Sequence, residues 1–95
     1  MPITDELRTE ITRVMRTLIA ARGAGRTICP SEVARTLAPE AWRPLMEAVR
    51  EVAHEMARAG EVTVTQRGVP LPAEEHWRGA IRLGRGRSVG GPGRA

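Results

Sequence analysis

At Gly60 the spacing of apolar residues changes from three-and-four to two, and few small folds accommodate that change. Beyond Gly60, Glu61-Val62-Thr63-Val64-Thr65-Gln66 alternates polar and apolar residues, the signature of a strand buried on one face only. Ahead of it the pattern is helical. Leu7, Ile11, Val14, Met15, Leu18 and Ile19 share one face of a helix over residues 4–22. Thr4 is its expected N-cap, Asp5 and Glu6 suit the positive end of its dipole, and Gly23 ends it. A strand that follows helices and hides one face must lay that face on the helices, so the spacing predicts an α+β chain.

The remaining elements fill in that frame. Arg26-Thr27-Ile28 suits a very short strand, and Cys29-Pro30-Ser31-Glu32 reads as the start of a second helix over 30–37, with Pro in its first turn. A third helical stretch runs from Pro39 to about Arg58. Trp42, Leu45, Met46, Val49, Val52, Ala53 and Met56 fall on one arc of it. Pro44 lacks an amide donor, which places a looser turn around Trp42 ahead of the regular helix. Arg67-Gly68 marks a turn, residues 69–79 read as an extended loop, and Ala80-Ile81-Arg82-Leu83 reads as a return strand.

Helix, short strand, helix, helix, strand, loop, strand is the order of a winged helix-turn-helix domain: three helices on a small antiparallel sheet. A plain three-helix bundle with an appended hairpin is the competing architecture. It leaves Val62, Val64, Ile81 and Leu83 without a core to cover. The domain is expected over residues 1–84. Residues 85–95 form an Arg/Gly-rich tail with almost nothing to bury, and disorder is expected there.

The run Arg26-Thr27-Ile28-Cys29-Pro30-Ser31-Glu32-Val33-Ala34-Arg35 resembles a bacterial family of short proteins classed as a domain of unknown function, with CPSEVAR as its most specific stretch. Trp42-Arg43-Pro44-Leu45-Met46, Val64-Thr65-Gln66-Arg67-Gly68 and Arg78-Gly79-Ala80-Ile81-Arg82-Leu83 are similar to that family too, so the likeness covers about residues 7–83. The resemblance implies a winged-helix-like fold and a soluble bacterial protein, and it leaves function open.

Several function classes are disfavoured by residue type. No apolar run approaches the ~18 residues of a membrane span. The acidic start, Met1-Pro2-Ile3-Thr4-Asp5-Glu6, lacks the pattern of a signal peptide, so a cytoplasmic location is expected. Cys29 is the one cysteine, and with His54 and His76 it makes fewer Cys/His ligands than a structural zinc site uses; no metal or other cofactor is expected. Cys29 with His54 lacks any orienting third group, and Glu74-Glu75-His76 lacks the register of a metalloprotease helix. The expectation is a protein that is not an enzyme.

Charge carries the functional reading. The formal net charge is +4, and all fifteen basic residues are arginine. Residues 1–60 are close to neutral, residues 61–76 are net acidic, and residues 77–95 hold Arg78, Arg82, Arg85, Arg87 and Arg94 with no acid. Binding of double-stranded DNA is the leading expectation. Arg43, Arg50 and His54 form a stripe on the third helix, while Arg67 and Arg78 stand on the wing to meet phosphate together with the C-terminal tail. The same helix carries Glu40, Glu47, Glu51 and Glu55, whose pairing with Arg along the helix gives an ordinary solvated face. A protein-interaction module, meeting another protein or a second copy through the third helix and Trp77, is therefore the alternative. Trp42 is expected in the core. Cys29, at a helix start beside Arg26, is a candidate redox position, set against the reading of a small side chain packed under helix two.

Overall fold

A computed structural model describes residues 3–86. Its first helix, α1 (Asp5–Arg22), is capped by Thr4, whose Oγ1 accepts from the Leu7 amide at 3.1 Å, and ends at Gly23. Strand β1 is Thr27–Ile28. Helix α2 (Pro30–Leu37) starts from Cys29, whose amide donates to the Glu32 carboxylate at 2.9 Å. A 3-10 turn over Arg43–Leu45 follows, and α3 runs Met46–Arg58. The helical stretch expected from Pro39 starts later than expected: residues 39–42 are not helical, and the looser turn expected around Trp42 is followed by this 3-10 segment, where proline lacks the amide donor yet suits the first positions of a helical turn.

Strands β2 (Val62–Gln66), β3 (Val69–Pro70) and β4 (Arg82–Arg85) complete one antiparallel sheet in the order β1-β4-β2-β3. Leu83 is the centre of its buried face, opposite Ile28 on one side and Val64 on the other. Residues opposite one another in a ladder point to the same face, so this register aims Ile28, Val64 and Leu83 together at the helices. They meet Ile11 and Met15 of α1, Val33 of α2 and Val49 and Val52 of α3 in a single core. The sheet thus has the core that a bare three-helix bundle would deny it.

Two boundaries differ from expectation. Part of the segment expected as loop is strand: Val69 and Pro70 pair with Gln66 and Thr65. The end of the folded unit also lies further on. Arg85 pairs with Val62, and the Gly86 amide donates to the Glu61 carbonyl at 3.0 Å. Backbone pairing adds these residues to the sheet although they bring no apolar side chain. At Gly86 a Cβ would stand 2.2 Å from the Gly60 carbonyl oxygen, so only glycine lets the two backbones approach this closely. Residues 87–95, which hold the rest of the expected tail, lie outside the described residues.

Candidate nucleic-acid interface

The wing begins with a two-residue turn. Arg67 (φ 53°) and Gly68 (φ 82°) both take left-handed conformations between the paired Gln66 and Val69, as a tight hairpin matching the twist of its strands requires. This puts the Arg67 side chain in solvent at the tip. Past β3 the chain does not hang free. Residues 71–80 fold back over α3 and are fastened there at several points.

His54 lies flat on Trp77, and its Nδ1 is 3.0 Å from the Ala73 carbonyl oxygen. Arg50 donates through Nη1 to the Trp77 carbonyl at 3.0 Å and through Nη2 to the Gly79 carbonyl. The Trp77 indole donates to the Pro72 carbonyl at 2.9 Å and is only 3% exposed. From the sheet side, the Gln66 amide donates to the carbonyls of Arg78 and Ala80. A loop without regular structure must satisfy its carbonyls individually, and these side chains supply the donors.

The stripe expected on α3 is therefore divided. Arg50 and His54 hold the wing loop, and their polar atoms face its backbone. Arg43 lies ahead of α3, with its guanidinium 4.7 Å from the Trp42 ring centre. Trp77 is buried in the core beneath the wing loop, while Trp42, expected in the core, is half-buried and packs against its edge. The acids of α3 also differ from expectation. Glu51 and Glu55 pair across to Arg8 of α1 rather than along their own helix; Arg8 Nε is 3.1 Å from Glu55 Oε1. Beside the pinned loop a groove of about 510 Å³ is bordered by Glu47, Glu51, Glu74, Glu75, Arg58 and His76, a net-acidic set.

The wing gathers the opposite charge. Because Arg50 and Gln66 grip the carbonyls around it, Arg78 is brought beside Arg67 and Arg82. The three line an open depression of about 560 Å³ with Gln66, Gly79 and Ala80 and no acid. Arg82 is steadied by donating to Thr27, through Nε to Oγ1 at 2.9 Å and through Nη2 to the carbonyl at 3.0 Å. The sequence pattern marked Arg67 and Arg78; that Arg82 joins them follows from the β2–β4 register.

Ion pairing separates two populations of arginine. Among the described residues every ion pair uses an arginine of α1: Arg8, Arg13, Arg16 or Arg22. Among the described residues, no arginine after Arg22 has a carboxylate within 4.0 Å. The arginines of α1 are answered by acids of α1, α2, α3 and the residue ahead of β2, while the described cations of the wing and of the α2–α3 connection have no carboxylate within that distance.

Glu32 sits in the first population. Burial pushes its carboxyl upward, but the Cys29 amide and the Arg22 guanidinium, with Arg82 further off, outweigh burial and hold it below the usual carboxylate range. Cys29 itself is half-buried, and its Sγ accepts from Ser31 Oγ at 3.1 Å. Among the described residues no three His, Cys, Asp or Glu side chains converge as metal ligands. No helix among them is long and apolar enough to cross a membrane.

Three helices backed by a four-stranded antiparallel sheet, with a hairpin and loop folded against the third helix, define a winged-helix-like α+β domain. The chain belongs to the DUF3253 family of proteins of unknown function, whose model matches residues 8–86. No curated protein matches it.

Proposed function

We propose that the protein binds double-stranded DNA, holding the sugar–phosphate backbone through its wing instead of reading bases along α3. The segregation of arginines carries this reading. Cations without carboxylate partners cluster on the wing, where Arg67, Arg78 and Arg82 surround an acid-free depression. Each such guanidinium can displace a condensed counterion at a phosphate, a favourable and sequence-independent contribution. Base reading by α3 is disfavoured because Arg50 and His54 are spent on the wing loop and Glu47 and Glu51 would face the phosphates.

A titration of labelled mixed-sequence duplex tests the proposal. Affinity should fall steeply as salt rises, with log K linear in log salt. An Arg67→Ala/Arg78→Ala variant should lower the slope by about two, from ~0.9 per phosphate contact. Binding that is absent, or that ignores salt, overturns it.

A second reading rests on the groove beside α3. Its Glu47, Glu51, Glu74 and Glu75 suit a basic protein surface, so the domain would serve as a protein-interaction module. In that case the wing variant is silent in the duplex titration, while Glu74→Gln/Glu75→Gln weakens capture of the protein partner.

A further inference from the structure

Where α2 hands over to α3, two cations rest on one ring. The Arg35 guanidinium carbon is 4.4 Å from the centre of the Trp42 ring, and that of Arg43 is 4.7 Å from it. Both arginines are exposed, Trp42 is half-buried against the core, and among the described residues neither cation has a carboxylate within ion-pair distance. The electron-rich face of an indole attracts a guanidinium without neutralising it. Two positive charges are thus held against one ring by a side chain that is itself anchored, at the tip of the helix pair.

We infer that Arg35, Trp42 and Arg43 form a second phosphodiester-binding site, a preorganised clamp on the duplex backbone away from the wing; the inference rests on the DNA-binding reading above. Three features support it. A long arginine side chain loses rotational freedom when it docks on phosphate, and the ring has already removed much of that freedom here. Contact with a ring face leaves the guanidinium its charge and N–H donors, and these are the groups that fork onto phosphate oxygens. Repulsion between two neighbouring cations is relieved when an anion joins them. A simple cover over apolar surface would need only one of the two arginines, and either could carry an acid neighbour.

The test measures binding of the full chain to a labelled mixed-sequence duplex over a range of salt. The chain is compared with Arg35→Ala, Arg43→Ala, Trp42→Leu, Trp42→Phe and the Arg67→Ala/Arg78→Ala wing variant, and thermal unfolding is followed for each. Arg35→Ala and Arg43→Ala should each lower the slope of log K against log salt by about one. Trp42→Leu keeps both charges, so the slope should persist while affinity drops roughly two- to five-fold at every salt, as expected for a lost exposed cation–π contact. Trp42→Phe, which retains an aromatic face, should recover part of that loss. If the wing variant loses slope while both single arginine variants keep the full slope, the clamp is overturned and DNA binding stands. If the unsubstituted chain shows no salt-dependent binding, both readings fall together.

Discussion

The imidazole of His54 lies on the indole of Trp77 with ring centres 3.5 Å apart and planes 9° from parallel. One ring belongs to α3 and the other to the wing loop, so this contact joins the third helix to the segment that would otherwise project into solvent. An aromatic pair of this kind contributes about 0.5–1.5 kcal/mol beyond the area it buries. His54→Ala should therefore cost about 1 kcal/mol in urea unfolding, and Trp77→Ala, which empties part of the core, about 3–5 kcal/mol. A local readout accompanies the global one: Arg78 lies in the pinned loop, and trypsin should cut after it faster in His54→Ala than in the parent chain. Equal cleavage rates would mean that the stack does not fasten the loop.

Arg67 combines a conformational cost with a position at the wing tip. A side chain in the left-handed region costs about 1–2 kcal/mol, and asparagine tolerates that region better. Arg67→Asn should raise unfolding stability by about 0.5–1 kcal/mol and at the same time lower the salt slope of duplex binding by about one. A variant more stable and equally salt-sensitive would assign Arg67 to the turn alone.

Glu32 makes stability depend on acidity. Its folded carboxyl titrates below its ordinary value, so the folded state favours the charged form over the unfolded chain. The contribution is complete above the ordinary glutamate value of about 4.3 and is lost as pH falls through the lower folded value. Glu32→Gln should be less stable than the parent near neutral pH, with the gap closing in acid. Urea midpoints measured from neutral pH down to about pH 3 check this, and a gap that stayed constant would contradict it.

Arg85 and Gly86 carry the sheet past the expected boundary at Gly84. A Cβ at Gly86 would meet the Gly60 carbonyl oxygen at 2.2 Å and the Glu61 carbonyl carbon at 2.3 Å, both of them backbone atoms that cannot rotate aside. Gly86→Ala should cost about 1–3 kcal/mol, the range for forced overpacking. A chain ending at Gly84 should be less stable than one ending at Gly86, because it loses the Val62–Arg85 pairing. Equal unfolding curves for the two truncations would restore the earlier boundary.

How much of this was legible in the sequence depends on the range of the contacts. Thr4 and Gly23 bound α1, Pro30 opens α2, and Val62 and Val64 announce β2, because each signal acts within a few residues. The covering of α3 by residues 71–80 has no such signal. It depends on His54 meeting Trp77 and on Arg50 reaching carbonyls 27 and 29 residues away. Helical spacing suggests pairs within α3 for Glu51 and Glu55, but the cation that answers them, Arg8, lies 47 residues from Glu55. Among the candidate site residues, Arg67 was readable from its turn. Arg35 and Trp42 meet across a helix connection that only the assembled domain brings together.

The loop laid over α3 has a consequence for the timing of association. Arg50, His54 and Gln66 have already settled residues 71–80, so on the DNA-binding reading proposed above the wing would meet an approaching duplex as a finished relief. Little has to be immobilised at the moment of landing, and the speed of capture is then governed by long-range attraction and angle of approach. Such a domain would take hold quickly, let go quickly when ions crowd in, and favour brief visits along many stretches of duplex over a long stay at one.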